Sequence, residues 1–160
     1  MPMIPYCELK RVATELTTRC ECILFGSLGL QMAYPQVLPD APHDVDLFAA
    51  GNRDNLVQII TLLRDNGYLV YSWQDPIVAG FDWEILRGRF YFRGVKKILG
   101  YEPAIIDVTY EIAGLQYEEL DVLTQKVEGI KTLTKDGFIC ALGRCEKEKH
   151  LLECEMLKRL

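Results

Sequence analysis

Two aspartates, Asp44 and Asp46, stand one residue apart in the run Asp44-Val45-Asp46-Leu47. On an extended strand, residues i and i+2 project from the same face, so the two carboxylates would lie side by side while Val45 and Leu47 turn to a core. Carboxylates held that close repel each other unless one is protonated, solvent screens both, or a cation sits between them. Mg²⁺ suits the last arrangement, because it takes one or two carboxylates and completes its shell with water and substrate phosphates. Asp107, in Ala104-Ile105-Ile106-Asp107-Val108, is the third candidate: a charge among β-branched residues is costly to bury without a partner. Three carboxylates can hold two ions, which activate an attacking hydroxyl and stabilise a leaving phosphate oxygen.

A second feature complements them. Gly26-Ser27 follows the short apolar run Cys22-Ile23-Leu24-Phe25, and sixteen residues separate Ser27 from Asp44. Backbone N–H groups at a tight glycine turn, and at any helix beginning there, can hold phosphate oxygens. The Ser27 hydroxyl adds a donor. Each part has a plain alternative, a turn or a solvated strand edge. The order is more restrictive: strand, Gly-Ser, strand with Asp-x-Asp, later strand with Asp. His43, Arg87, Arg89 and Lys147 are candidate phosphate or acceptor contacts. The basic stretch Arg87, Arg89, Arg93, Lys96 and Lys97 also reads as a solvated strand and turn. Tyr71 and Trp73 could stack a ring or simply pack.

These residues need elements to hold them. Glu8 to Thr18 carries Leu9, Val12, Ala13 and Leu16 at helical spacing. Residues 22–25 read as a buried strand, and Val45 to Ala50 as another, stopped by Gly51. Three prolines make at least the second half of 28–43 a loop. Asn52 caps a predicted helix running to Arg64 or Asp65, closed by Asn66-Gly67. Tyr68–Trp73, Asp82–Phe92 (broken near Gly88) and Ala104–Tyr110 are predicted strands. Asp121–Lys131 fits helix or strand, with Gly129 against a long helix. Thr134 caps a short helix to Leu142, and Glu146–Leu160 is helical, with Leu152, Met156 and Leu160 at i, i+4 and i+8 and a Glu155–Arg159 surface pair.

Composition sets the bounds. The 160 residues suit a single domain, 1–160, with 49% hydrophobic and 26% charged residues. A net charge of −5 argues against non-specific binding along a nucleic-acid backbone. No apolar run is long enough to span a bilayer, and the start lacks the basic-then-apolar order of a signal peptide, so the expected compartment is the cytoplasm. The six cysteines are expected as reduced thiols, and Cys20-Glu21-Cys22 is too closely spaced for a structural zinc pair.

On Phe25-Gly26-Ser27, Asp44-Val45-Asp46-Leu47 and Asp107 in Ile-Ile-Asp-Val, the chain resembles the nucleotidyltransferase superfamily that includes DNA polymerase beta, in its minimal single-domain form. The likeness extends from about Glu8 onward. Gly143-Arg144 leading into Lys147 and a terminal helix is similar to the ends of small bacterial members. The resemblance implies an α+β fold, a mixed β-sheet flanked by helices. It implies transfer of a nucleoside monophosphate from an NTP to a hydroxyl of a small molecule, protein or RNA. Asp44, Asp46 and Asp107 would be the catalytic metal carboxylates for two Mg²⁺ ions, and Gly26, Ser27 and Lys147 the nucleotide contacts. The expected partners are the nucleoside triphosphate and a hydroxyl acceptor, with a homodimer or a partner protein as further candidates. The competing readings are a catalytically silent, antitoxin-like interaction module of the same fold, and a nucleotide sensor that binds without transfer.

Overall fold

A computed structural model describes residues 6–38, 44–77, 83–112, 114–144 and 147–160. The elements in chain order are α1 (Tyr6–Arg19), β1 (Cys22–Phe25), α2 (Gly26–Ala33), β2 (Val45–Ala49), α3 (Arg53–Asp65), β3 (Leu69–Ser72) and β4 (Asp75–Pro76). They continue with α4 (Trp83–Leu86), β5 (Tyr91–Lys96), β6 (Ala104–Thr109), α5 (Tyr117–Asp121), β7 (Thr124–Val127), β8 (Ile130–Leu133), α6 (Lys135–Gly143) and α7 (Glu148–Lys158). The strands form one mixed sheet in the order β4-β3-β5-β6-β2-β1-β8-β7. β1 runs antiparallel to β2, whereas β2–β6 and β1–β8 are parallel.

The two faces of the sheet are covered differently. On one, Leu9, Val12 and Leu16 of α1 and Leu56, Ile59 and Leu63 of α3 pack with Leu24, Val45, Leu47, Phe92, Ile106 and Val108. On the other, Ile23 and Phe48 join Leu30, Leu120, Leu133, Phe138 and Leu157, so α2, α5, α6 and α7 cover the β2-β1-β8 end. Beyond β2 that second face opens. Alternate residues of β6 and β5 are buried on the first face, but Ile105, Asp107 and Thr109, and Tyr91, Arg93 and Val95, are only partly buried on the second. A half-covered sheet of this kind alternates apolar-in and polar-out, and its open side is where Asp107 points.

Local signals explain most boundaries. The Asn52 side chain accepts from Asn55 N–H at 3.0 Å and starts α3, as its sequence position predicts. The Thr134 hydroxyl accepts from Gly137 N–H and starts α6. Two expectations are corrected and one open alternative is decided. The strand expected over 82–92 is instead α4, a turn through Gly88 (φ +90°) and Phe90 (φ +63°), and then β5; Asp82 lies outside the described residues. Trp83 and Leu86, at i and i+3, turn the same way as on a helix, and Leu86 is buried. The ambiguous 121–131 segment leads into a hairpin, with Glu128 and Gly129 both at positive φ between β7 and β8, the signature of a tight two-residue hairpin turn. On α7, Leu152, Met156 and Leu160 face solvent while Cys154 and Leu157 are buried, and Glu155 meets Lys158 at 3.4 Å rather than Arg159.

The described cysteines, Cys7, Cys20, Cys22, Cys140 and Cys154, form no disulfide with one another. Burial pushes the Cys20 thiol up to about 11, which makes it a poor thiolate ligand. Among the described residues, no helix is long and apolar enough to cross a membrane.

Candidate functional site

The candidate site is assembled where β1 ends, α2 begins and the open half of the sheet starts. Phe25 is paired with Asp46 in the β1–β2 register, and Asp46 is paired with Asp107 across β2–β6. The two aspartates are therefore register neighbours on the same face. Asp44 stands one position before β2 and is near enough to raise the proton affinity of Asp46. The sequence-predicted residues Gly26, Ser27, Asp44, Asp46 and Asp107 thus come to one end of the sheet.

Gly26 carries the closest contact. Its φ is +63°, and a Cβ placed there would lie 2.4 Å from Asp46 Oδ2 and 2.8 Å from Asp46 Cβ. Only glycine fits both the backbone conformation and the space. The turn is consequently laid directly against the Asp46 carboxylate. α2 starts from Phe25 in extended conformation with no side-chain cap, as α7 starts from Lys147, whereas in α3 and α6 the Asn52 and Thr134 side chains accept from first-turn N–H groups. The first amides of α2 point toward the same end with no side-chain acceptor, a geometry suited to an anion. The Ser27 hydroxyl makes no hydrogen bond among the described residues and is only partly buried.

The two register neighbours sit in unlike surroundings. Asp107 accepts from Arg93 Nε at 2.7 Å, from Arg93 Nη2 at 3.2 Å and from the Tyr91 hydroxyl. Arg93 is its cross-strand partner in β5, and Tyr91 lies two residues earlier on the same face. Asp107 in turn holds the Arg93 guanidinium firmly protonated, and burial with the Asp107 hydrogen bond raises the Tyr91 hydroxyl. Asp46 makes no hydrogen bond or ion pair among the described residues. Burial first, then the charges of Asp107 and Asp44, push its carboxyl up to about 7, against smaller opposing effects from Arg93 and Lys149.

The remaining candidates are spread more widely. Lys147 is the exposed N-cap residue of α7, and its side chain makes no hydrogen bond or ion pair among the described residues. Lys149, two residues further along, is the lysine whose charge reaches Asp46. Arg89 donates to Asp75 at 2.6 Å and to Ser72 O at 3.4 Å, on the β3–β4 side. Arg87 lies in the turn after α4, and His43 lies outside the described residues. A cavity of about 830 Å³ opens beside the Arg93–Asp107 pair, walled by Trp73, Phe90, Tyr91, Arg89, Arg93 and Glu111. Trp73 and Phe90 both adopt positive φ, and Trp73 packs on Tyr91 with ring centres 5.1 Å apart. Sequence reasoning left Arg93 in a basic stretch and did not single out Tyr91 or Lys149. The signal for the first two was the i, i+2 spacing of Tyr91 and Arg93, which puts both on one face of a strand.

The donor set can be tested for a hard cation. Three carboxylates lie within electrostatic reach, and Asp46 has no counter-ion in contact, so the Asp44–Asp46 side fits a divalent ion completed by water or phosphate. Both oxygens of Asp107 are already engaged. Among the described residues, no group of three or more His, Cys, Asp or Glu side chains converges on a metal position.

No family model and no curated protein matches this chain. Solved structures do match it, among them two from Helicobacter pylori. One is the protein JHP933, with TM-score 0.53, 16% identity and 96% of this chain covered. The other, described as a "putative nucleotidyltransferase", has TM-score 0.53, 15% identity and 95% of this chain covered. The chain spans 65% and 66% of their lengths, just under two thirds of each. With its mixed sheet flanked by helices and its Gly26 turn against Asp46, the chain shares the fold of these two structures, one of them described as a "putative nucleotidyltransferase".

Proposed function

We propose that the chain is a nucleotidyltransferase, moving a nucleoside monophosphate from an NTP to a hydroxyl acceptor. The observation that carries this reading is the contact of the Gly26 turn with Asp46, which puts an uncapped helix N-terminus and an uncompensated carboxylate at one point. A triphosphate brings the anion for the first and, with its Mg²⁺, the cation for the second. Asp44 and Asp46 would hold the metal, which supplies charge neutralisation of the phosphates.

The chain's own residues divide the remaining work. The N–H groups of Gly26 and Ser27 hold the β- and γ-phosphates, with Lys147 or Lys149 closing over them from α7. The cavity beside Arg93 receives the acceptor, whose oxygen forms a bond to the α-phosphorus as the bond to the β-phosphate oxygen breaks and pyrophosphate leaves. Asp107 faces that side and takes the acceptor proton. Most of the catalysis is positioning and charge neutralisation.

The test is calorimetric titration of each of the four NTPs with Mg²⁺ and then with EDTA, repeated on Asp46→Asn. Metal-dependent binding lost in the variant supports the reading; binding indifferent to EDTA and to the variant overturns it. A second reading is favoured by the Arg93 and Tyr91 bonds that occupy Asp107: a silent module that binds nucleotide or a partner without transfer. It predicts saturable NTP binding and no pyrophosphate release with any acceptor.

A further inference from the structure

Three carboxylates at one end of a sheet require compensating positive charge, and part of it is built into the chain. Arg93 is set opposite Asp107 by the β5–β6 register, not by a flexible reach from elsewhere. Its guanidinium meets the carboxylate with two donors, at 2.7 and 3.2 Å, and Tyr91 adds a third from the same face. Paired N–H donors from arginine match a carboxylate in both geometry and charge. Asp107 is mostly buried, its side chain 14% exposed, whereas that of Arg93 is 42% exposed and lines the cavity. The inner member of the pair is thus the acid and the outer member the cation, on the side from which a second ion would approach.

We infer that the Arg93 guanidinium takes the place of one of the two cations that three carboxylates call for, so that the site accepts a single divalent ion, at Asp44 and Asp46. This inference rests on the reading that those two residues hold a metal. The disposition of the side chains agrees, since among the described residues the three aspartates do not converge as a common ligand set. Asp107 is then Arg93's partner on the acceptor side, not a metal ligand.

The experiment counts Mn²⁺ bound per full-length chain by electron paramagnetic resonance of the free ion. The chains are the natural protein, Asp107→Asn, Arg93→Met, Arg93→Lys and the Arg93→Met/Asp107→Asn pair, each checked for folding by circular dichroism. The inference expects one ion for the natural chain and still one for Asp107→Asn. Arg93→Met frees Asp107 and gains a second ion; the double variant returns to one. Arg93→Lys keeps the charge, stays at one, and serves if Arg93→Met does not fold. Two ions on the natural chain, loss of the ion in Asp107→Asn, or no gain in a folded Arg93→Met overturns the inference. No Mn²⁺ on any chain overturns the metal reading beneath it.

Discussion

Asp46 and Asp107 are the same residue type, on the same face, in register on adjacent parallel strands, yet the molecule treats them in opposite ways. Asp107 is bound by an arginine and a tyrosine from β5, the strand on its far side. Asp46 has β1 on that side instead, and β1 offers Phe25 and the bare Gly26 turn. The charge on one is answered from within the chain; the charge on the other is left to be answered from outside. Strand order thus decides which carboxylate is paired within the chain and which is left open, with no difference in the residue itself.

The comparison can be broken most severely at Gly26. Gly26→Ala places a methyl group on Asp46 and forces alanine to positive φ; the two effects together cost about 2–4 kcal/mol and push the Asp46 carboxylate off its position. Urea denaturation should show the loss, and an unchanged midpoint would mean that the turn is not packed as described. Next in size is the Arg93–Asp107 pair. Arg93→Met should cost about 1–2 kcal/mol, held down by the exposure of the guanidinium, because it strands a mostly buried acid. Adding Asp107→Asn should recover part of that loss, and strict additivity in the double-mutant cycle would deny the coupling.

The pH dependence separates the two aspartates more finely. The Asp46 carboxyl is raised from an ordinary 3.8 to about 7, so between those values the folded, metal-free chain holds a proton that the unfolded chain releases. Stability should therefore fall as pH rises through that window, by at most about 1.4 kcal/mol per pH unit from this group. Asp46→Asn should flatten that slope, and thermal melts across the window would show identical slopes if Asp46 were ionised throughout. Trp73→Gly should have the smallest effect, below about 1 kcal/mol, since relief of the positive φ offsets the lost ring contact with Tyr91. A larger loss would make Trp73 a support of Tyr91, and through it of Asp107.

What could be read from the chain alone follows the same division. The Gly26 turn, the Asp44–Asp46 spacing and the Asn52 cap are local patterns of a few residues, and the structure places the turn and the cap as expected. For Asp107, alternation along the strand restricted only its face; the pairing of β6 with β2 is what sets it beside Asp46. The Arg93 clamp was hidden because it depends on which strand lies next to β6, and because the β5 region was misread: Gly88 and Phe90 turn the chain just before a strand that continues four residues past Phe92. α7 misled in another way. Its i, i+4, i+8 apolar residues mark a helix correctly, but packing chose Cys154 and Leu157 instead, and tertiary contact outranks periodicity.

The parallel pairing of β1 with β8 has a consequence in time. Leu24 and Thr132 are partners in that ladder, the Thr132 hydroxyl donates to Leu24 O at 2.7 Å, and 108 positions separate them. A chain emerging from the ribosome therefore has β1 and β2 long before it has the strand that seals the other side of β1. Until then Cys22–Phe25, an apolar segment leading into the Gly26 turn, presents an unpaired edge open to any other extended chain. The part of the protein that would grip phosphate is among the first to be made and among the last to be enclosed, so arrested synthesis before Thr132 should yield an aggregating product rather than a partly working one.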